Sequence, residues 1–402
     1  MWRRFASFGP GVRLLMVNQL AINIGFYMLM PYLAGHLADG LGLAAWTVGL
    51  VLGVRNLSQQ GLFLLGGTLA DRLGHRPVII AGCLLRTVAF ALLGVADALP
   101  ALVAASAMTG FAGALFNPAV RACLAHGSGG RRVEAFALFN VFYQTGILAG
   151  PVIGLALLSV DFRLVCAVAA AVFGLLTLLQ LLALPPCRAE PASGAGVLTD
   201  WRAVVANRPF LLFSAAMAGS YVLSFQVYLA LPLLLGDAGA VGSLFVVSAL
   251  VAIAGQLRIT DWARRRWSGP RAVVRGLALM AVAFLPLVPA GATPSTAARV
   301  AAVLACTALL AAGTALTYPF EMDTVVALSG ERLVATHYGL YNTVAGVGVT
   351  LGNLVVGALL GAGSPAPAGA ALFLLGAACA VAVGALNRTG RLTAPEPATS
   401  RR

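Results

Sequence analysis

The chain has 402 residues, 60% hydrophobic and 10% charged, with a mean hydropathy of +0.92 and a formal net charge of +13. A soluble domain carries roughly 25% charged residues, so this inventory cannot clothe a water-facing surface. It excludes an ordinary soluble enzyme or binding module, and the bilayer must be the solvent for most of the chain.

A spanning helix takes about 20 apolar residues, so the length accommodates about twelve with short loops. Apolar runs fall at 14–34, 46–66, 78–96, 101–120, 134–158 and 164–184, and again at 209–235, 242–258, 273–290, 297–320, 335–362 and 367–386. We number these predicted spans 1 to 12. They predict an all-α membrane protein of two six-helix bundles, residues 1–184 and 209–386. A polar connector, 185–208, would join them, and a disordered cytoplasmic tail would occupy 387–402. The first run follows Met1, Trp2, Arg3 and Arg4 without a small-residue cleavage site and reads as a retained helix.

Every basic residue is arginine, and all but Arg55, Arg86, Arg163 and Arg299 fall in the tails, the connector, alternate loops or the span ends beside those loops. The opposite loops carry Asp39, Asp97, Asp161 and Asp237. A basic soluble chain points to nucleic acid, but here the bias follows the positive-inside rule. It predicts a multi-pass inner or plasma membrane protein with both termini cytoplasmic and no nucleic-acid partner. Cys83, Cys123, Cys166, Cys187, Cys306 and Cys379 lack CxxC or metal-ligand spacing, so neither a disulfide nor a metal site is expected. His36, His75, His126 and His337 fall at loops or helix ends and read as surface residues.

The halves repeat. Tyr27 and Pro31 in span 1 match Tyr228 and Pro232 in span 7, and Ala114, Leu115 and Pro118 match Ala315, Leu316 and Pro319 at the same offset. Asn140, Gly146 and Gly150 match Asn342, Gly348 and Gly352 one residue further on. Parallel six-helix repeats place a substrate cavity between halves near the midplane, opened alternately by rocking.

Between spans 2 and 3 stand Gly67, Asp71, Arg72, Gly74, Arg76 and Pro77. A glycine lets two helices approach and another permits a tight reversal, while an acid at a helix end can meet a partner helix's positive terminus. The pattern resembles the signature loop of the major facilitator superfamily. The resemblance implies that Asp71 holds one side closed by meeting the start of span 11, around 334–336, with Arg72 and Arg76 as gating residues. Asp261, Arg264, Arg265 and Arg266 form a degenerate copy in the second half.

Gly146, Gly150 and Gly154 share one face of span 5, and Pro151 permits a kink there. This resembles the span-5 motif of the family's drug:proton antiporters, although Leu155 stands where a second terminal glycine would. With Gly53, Arg55, Gln59, Gln60, Gly61, Arg86, Asp161, Arg163, Cys166, Gly255 and Gln256, the chain resembles the MdtH-like branch of multidrug efflux proteins. It departs at Asn117, where an acid is expected, and at Arg121, shifted by one position.

Polar groups inside spans are costly and are functional candidates. Gln19, Asn23 and Tyr27 share a face of span 1, and Arg55 and Gln59 a face of span 2. With Asn140, Tyr143, Gln144, Gln226, Tyr228, Tyr318 and Asn342 they are candidate cavity residues; Arg86 reads as structural. No carboxylate sits centrally in span 1, which leaves Glu134, Glu321 and Asp323 as proton-coupling candidates.

The expected function is export of small amphipathic compounds by proton antiport. The alternative is uptake or export of one polar or anionic metabolite, with Arg55 binding the anion. The absence of HExxH, GxSxG, a P-loop and clustered loop acids speaks against an enzyme. No cofactor is expected, and the expected partners are a small-molecule substrate, protons and lipid around a monomer.

Overall fold

A computed structural model of the chain describes residues 1–187, 196–235, 238–290, 295–361 and 365–392. Helices are its regular secondary structure, with no strand among the described residues. Asp237 and residues 393–402 of the predicted tail lie outside the described residues.

The first six spans are α1 (Pro10–Gly35), α2 (Ala45–Leu73), α3 (His75–Val95), α4 (Leu99–Gly127), α5 (Arg132–Leu158) and α6 (Phe162–Ala183). A short connector helix, Val197–Ala206, follows. Next come α7 (Arg208–Phe225, resuming as Ala230–Leu235) and α8 (Ala238–Leu250, continuing through a π-helical turn into Gln256–Arg266). The last are α9 (Gly269–Val282, with a last turn Leu287–Ala290), α10 (Thr296–Ser329), α11 (Val334–Gly361) and α12 (Pro365–Arg388).

Eleven of these segments are long and apolar enough to cross a membrane. The twelfth, α2, misses that threshold because Arg55, Asn56, Ser58, Gln59 and Gln60 interrupt its apolar run. Polar side chains on a spanning helix mark protein-facing or cavity-facing surface. Conversely, Leu155, Leu175, Leu178 and Leu182 are exposed. An exposed leucine face suits a lipid solvent.

Local chemistry sets the helix ends. Asp161 caps α6 by accepting from the Arg163 N–H, and Asn207 caps α7 by accepting from Phe210. Gly330 ends α10 in the left-handed region. Span 7 departs from the sequence expectation: the helix breaks over 226–229 instead of running through. Pro232 has no N–H to offer the carbonyl of Tyr228, and the Leu231 N–H reaches back across the break to Gln226.

The chain forms two compact units. Unit 1 comprises Met1–Trp201 with Leu333–Thr343, and unit 2 Arg202–Arg332 with Val344–Arg402. In unit 1, α2 packs on α4, α3 on α4 and α6, and α1 on α5 and α6. In unit 2, α8 packs on α10, α9 on α10 and α12, and α7 on α12. Each unit-2 pair is the counterpart of a unit-1 pair six helices earlier, so the sequence repeat is also a packing repeat. The unit-1 core runs from Ile22, Met28 and Leu33 through Phe90 and Phe116 to Phe173.

One sequence expectation is overturned here. Cys123 and Cys187 form a disulfide across 64 residues, where spacing predicted none. Spacing alone could not show that the end of α4 and the chain leaving α6 meet. Cys83, Cys166, Cys306 and Cys379 are free and buried.

Candidate functional site

The most organised polar cluster of unit 1 lies where α2 ends. Gly74 reverses the chain with φ +95°, a conformation that favours glycine. One turn before it, Asp71 is only 7% exposed, yet its carboxylate is fully engaged. Oδ1 accepts from the Ala335 N–H at 3.1 Å, and Oδ2 from the Thr336 N–H and hydroxyl, both at 2.7 Å. The two N–H groups are orphan donors of the first turn of α11, at the positive end of its dipole, and such charge-assisted bonds are strong.

Two glycines let the helices come this close. A Cβ on Gly67 would collide with the Ala335 carbonyl, and one on Gly339 with that of Phe63. The Thr343 hydroxyl adds a bond to the Gln60 carbonyl at 3.1 Å.

Arg72 grips Asp200 of the connector helix through Nε at 2.9 Å and Nη2 at 2.6 Å. Beside it the Trp201 indole donates to the Thr68 hydroxyl at 2.8 Å. Arg76 donates to the Leu181 carbonyl at the end of α6. Asp200 and Trp201 were missed in the sequence, although an acid beside a tryptophan on a short amphipathic helix was a usable signal.

The histidines also differ from the surface reading. His75 and His337 are 1% and 5% exposed, and the His75 Nε2 lies 3.6 Å from Asp71. His75 opens α3 just past the Gly74 reversal, four residues after Asp71.

The glycine face of α5 sits on α1. Gly146 lies against Asn23 and the Leu20 carbonyl, Gly150 against Tyr27, and Gly154 against the Met28 carbonyl. The carbonyl of Pro151 accepts from the Tyr32 hydroxyl at 2.6 Å. In unit 2, Gly348 and Gly352 of α11 meet Ala218 and Val222 of α7 in the corresponding way.

The candidate cavity residues divide by environment. Gln19 and Asn23 are buried: Gln19 donates to Asn23, which donates to the Tyr143 carbonyl, tying α1 to α5. Asn140 and Asn342 are also buried, and Asn342 accepts from Arg121 at 2.9 Å. Arg121, the residue out of register with the family pattern, thus has an amide partner. Gln226 is fully buried and bonds Val222 and Asn353. Tyr27, Tyr143, Gln144 and Tyr318 are half-buried, while Tyr228 is half-exposed between Phe225 and Phe245.

Arg55 and Arg86 converge in the middle of unit 1. Arg86, 3% exposed, donates to the Thr109 carbonyl at 2.7 Å. Its guanidinium lies within 6.0 Å of the ring centres of Phe26, Phe90, Phe116 and Phe173. Half-buried Arg55 lies 5.5 Å from the Phe26 ring centre and bonds Gln59 at 3.3 Å and Asn56.

Of the three candidate acids, Glu134 is clasped by Arg131 at 3.0 Å in the first turn of α5. Glu321 is buried in α10 and accepts from the Tyr221 hydroxyl at 3.0 Å. Asp323 is half-buried two residues on.

Comparison with known proteins agrees with this architecture. The family model of the Major Facilitator Superfamily matches residues 15–353. An uncharacterized MFS-type transporter of Mycobacterium tuberculosis is 56% identical over 89% of this chain and 88% of its own. The multidrug resistance protein MdtH of Salmonella typhi is 32% identical over 69% of this chain and 70% of its own. Among solved structures, the human organic anion transporter MFSD10 superposes with a TM-score of 0.74 at 17% identity, covering 93% of this chain and 99% of that one, and so shares the fold. Two units with one packing pattern, eleven candidate membrane spans among the described residues and the Asp71 seam onto α11 thus have a common explanation: the chain belongs to the Major Facilitator Superfamily and is a multi-pass membrane transporter.

Proposed function

We propose that this transporter exports small amphipathic compounds in exchange for protons, by alternating access, with both termini in the cytoplasm. The observation that carries the mechanism is the Asp71 carboxylate seated on the first turn of α11. A seam held by three hydrogen bonds to one side chain can form and break as a unit, which is what a gate requires. The direction of transport is supported by the α5 glycine face packed on α1 and by the MdtH relatives, whose name marks them as multidrug resistance proteins.

Glu321 is the favoured proton carrier of the three acids. Glu134 is already committed to Arg131, whereas Glu321 is buried beside a phenol that can bond either protonation state. The half-buried tyrosines and amides, with Arg55 and Gln59, supply a substrate surface of mixed aromatic and polar character.

The test uses everted membrane vesicles with an acidified lumen and a fluorescent pH probe. Addition of lipophilic compounds is expected to release protons, and an Asp71→Ala protein expressed at the same level is expected not to respond. Radiolabelled transport without proton movement would overturn the antiport reading.

A further inference from the structure

Unit 1 carries two guanidinium groups deep in its helices and, among the described residues, no carboxylate at that depth to match them. Arg55 stands about 15 Å along α2 from its start, at 1.5 Å per residue, and Arg86 is near the centre of α3. The described acids of this unit are Asp39, Asp71, Asp97, Glu134, Asp161 and Asp200, and all stand at helix ends, in loops or in the connector helix. Neither arginine makes an ion pair among the described residues, and both lie over the same Phe26 ring.

Their partners are neutral, and they are incomplete. The Arg86 Nε is buried without a hydrogen-bond partner. A Cβ on Gly113 would lie 2.8 Å from the Arg86 Nη2 and 3.1 Å from the Gln59 amide carbon, so α4 omits a side chain where the two meet. The aromatic rings around Arg86 favour a cation but cannot neutralise it. Two like charges in a low-dielectric interior repel, so the missing member is an anion. The depth of the pair excludes a lipid headgroup, whose phosphate lies at the membrane surface. Arg55 is the accessible member: its neighbours Asn56 and Leu57 are exposed, while Arg86 is sealed behind it.

We infer that Arg55, backed by Arg86 and Gln59, forms an anion-binding site that takes the carboxylate or sulfonate of an amphipathic organic acid or zwitterion. Arg55 and Gln59 donate to the acid group, and Phe26 carries the adjoining apolar part. Arg86 supplies fixed positive potential from behind. The inference rests on the transport reading above and narrows its substrate class from amphipathic compounds in general to those bearing an acid.

The experiment measures binding of three radiolabelled probes of one shape, 4-phenylbutyrate, 4-phenylbutyramide and 4-phenylbutylamine, to the full chain purified in detergent. The wild-type protein is expected to bind the carboxylate at least about tenfold more tightly than the amide, the preference a charge-assisted hydrogen bond confers. Arg55→Gln is expected to erase that preference, and Arg55→Lys to retain most of it. Thermal unfolding of each variant checks that it is folded. No carboxylate binding, equal binding of carboxylate and amide, or a preference that survives in Arg55→Gln would overturn the site.

A second arm in proteoliposomes separates this inference from the export reading. Arg55-dependent binding without movement of any probe would leave the anion site standing and remove the export reading. Transport of the amine or amide, with the carboxylate excluded, would do the reverse.

Discussion

At the scale of single residues, the proposed gate rests on a side chain that the packing holds closely on every side. Asp71 makes three bonds with two oxygens, and an asparagine would present only one acceptor oxygen and a misplaced NH2. A hydrogen bond to a charged group contributes about 1.5–3 kcal/mol against about 0.5–1.5 kcal/mol for a neutral one. Asp71→Asn is therefore expected to lower transport in proteoliposomes about tenfold or more, with a small change in unfolding temperature. A normal rate would show that the carboxylate does not hold the gate. Gly67→Ala should be as damaging, because the added methyl meets backbone, whereas Gly49→Ala, with nothing within 4 Å, serves as its silent control. Paired measurements of expression and transport check both. Glu321→Gln is expected to leave substrate binding intact and abolish substrate-dependent proton release in vesicles.

At the scale of elements, the connector helix is the part that composition concealed. Asp200 is almost wholly buried, while Arg72 keeps about a quarter of its side chain exposed. Removing the arginine strands a buried carboxylate, whereas removing the acid leaves a cation that can still reach water. Arg72→Gln is thus expected to lower the unfolding temperature more than Asp200→Asn does, and the double variant should recover part of the loss. The coupling should be on the order of 0.5–3 kcal/mol, measurable by a double-mutant cycle. The helices themselves were legible, because an apolar run of about 20 residues has one economical structure in a bilayer. The glycine face of α5 was legible for a related reason: spacing fixes which residues share a helix face. The break in α7 was visible only in part, since Pro31 sits inside an unbroken α1 while the matching Pro232 follows a break. What differs is the surrounding packing, and local sequence does not carry it.

At the scale of the whole molecule, the repeat in the sequence and the repeat in helix pairing are one fact seen twice. That is why the fold was readable in advance, while the meeting of Asp71 with the start of α11 followed from the resemblance of the signature loop. The partners of Arg72, the burial of His75 and the Cys123–Cys187 disulfide were not readable, since each depends on which helix ends meet across long separations. Individual glycine contacts nevertheless differ in kind. At Gly66, Gly67 and Gly110 of unit 1 the nearest obstacle to a larger residue is a main-chain carbonyl. In unit 2 the obstacle at Gly219 and Gly276 is a side-chain atom, the Cys379 sulfur and the Thr317 hydroxyl. A genetic selection for suppressors should feel that difference. Loss of transport by Gly276→Ala should be reversible by trimming one neighbour, as in Thr317→Ala. No change of side chain at Ala335 can make room for Gly67→Ala, so revertants there should return to glycine or arise at distant positions that let the helices shift.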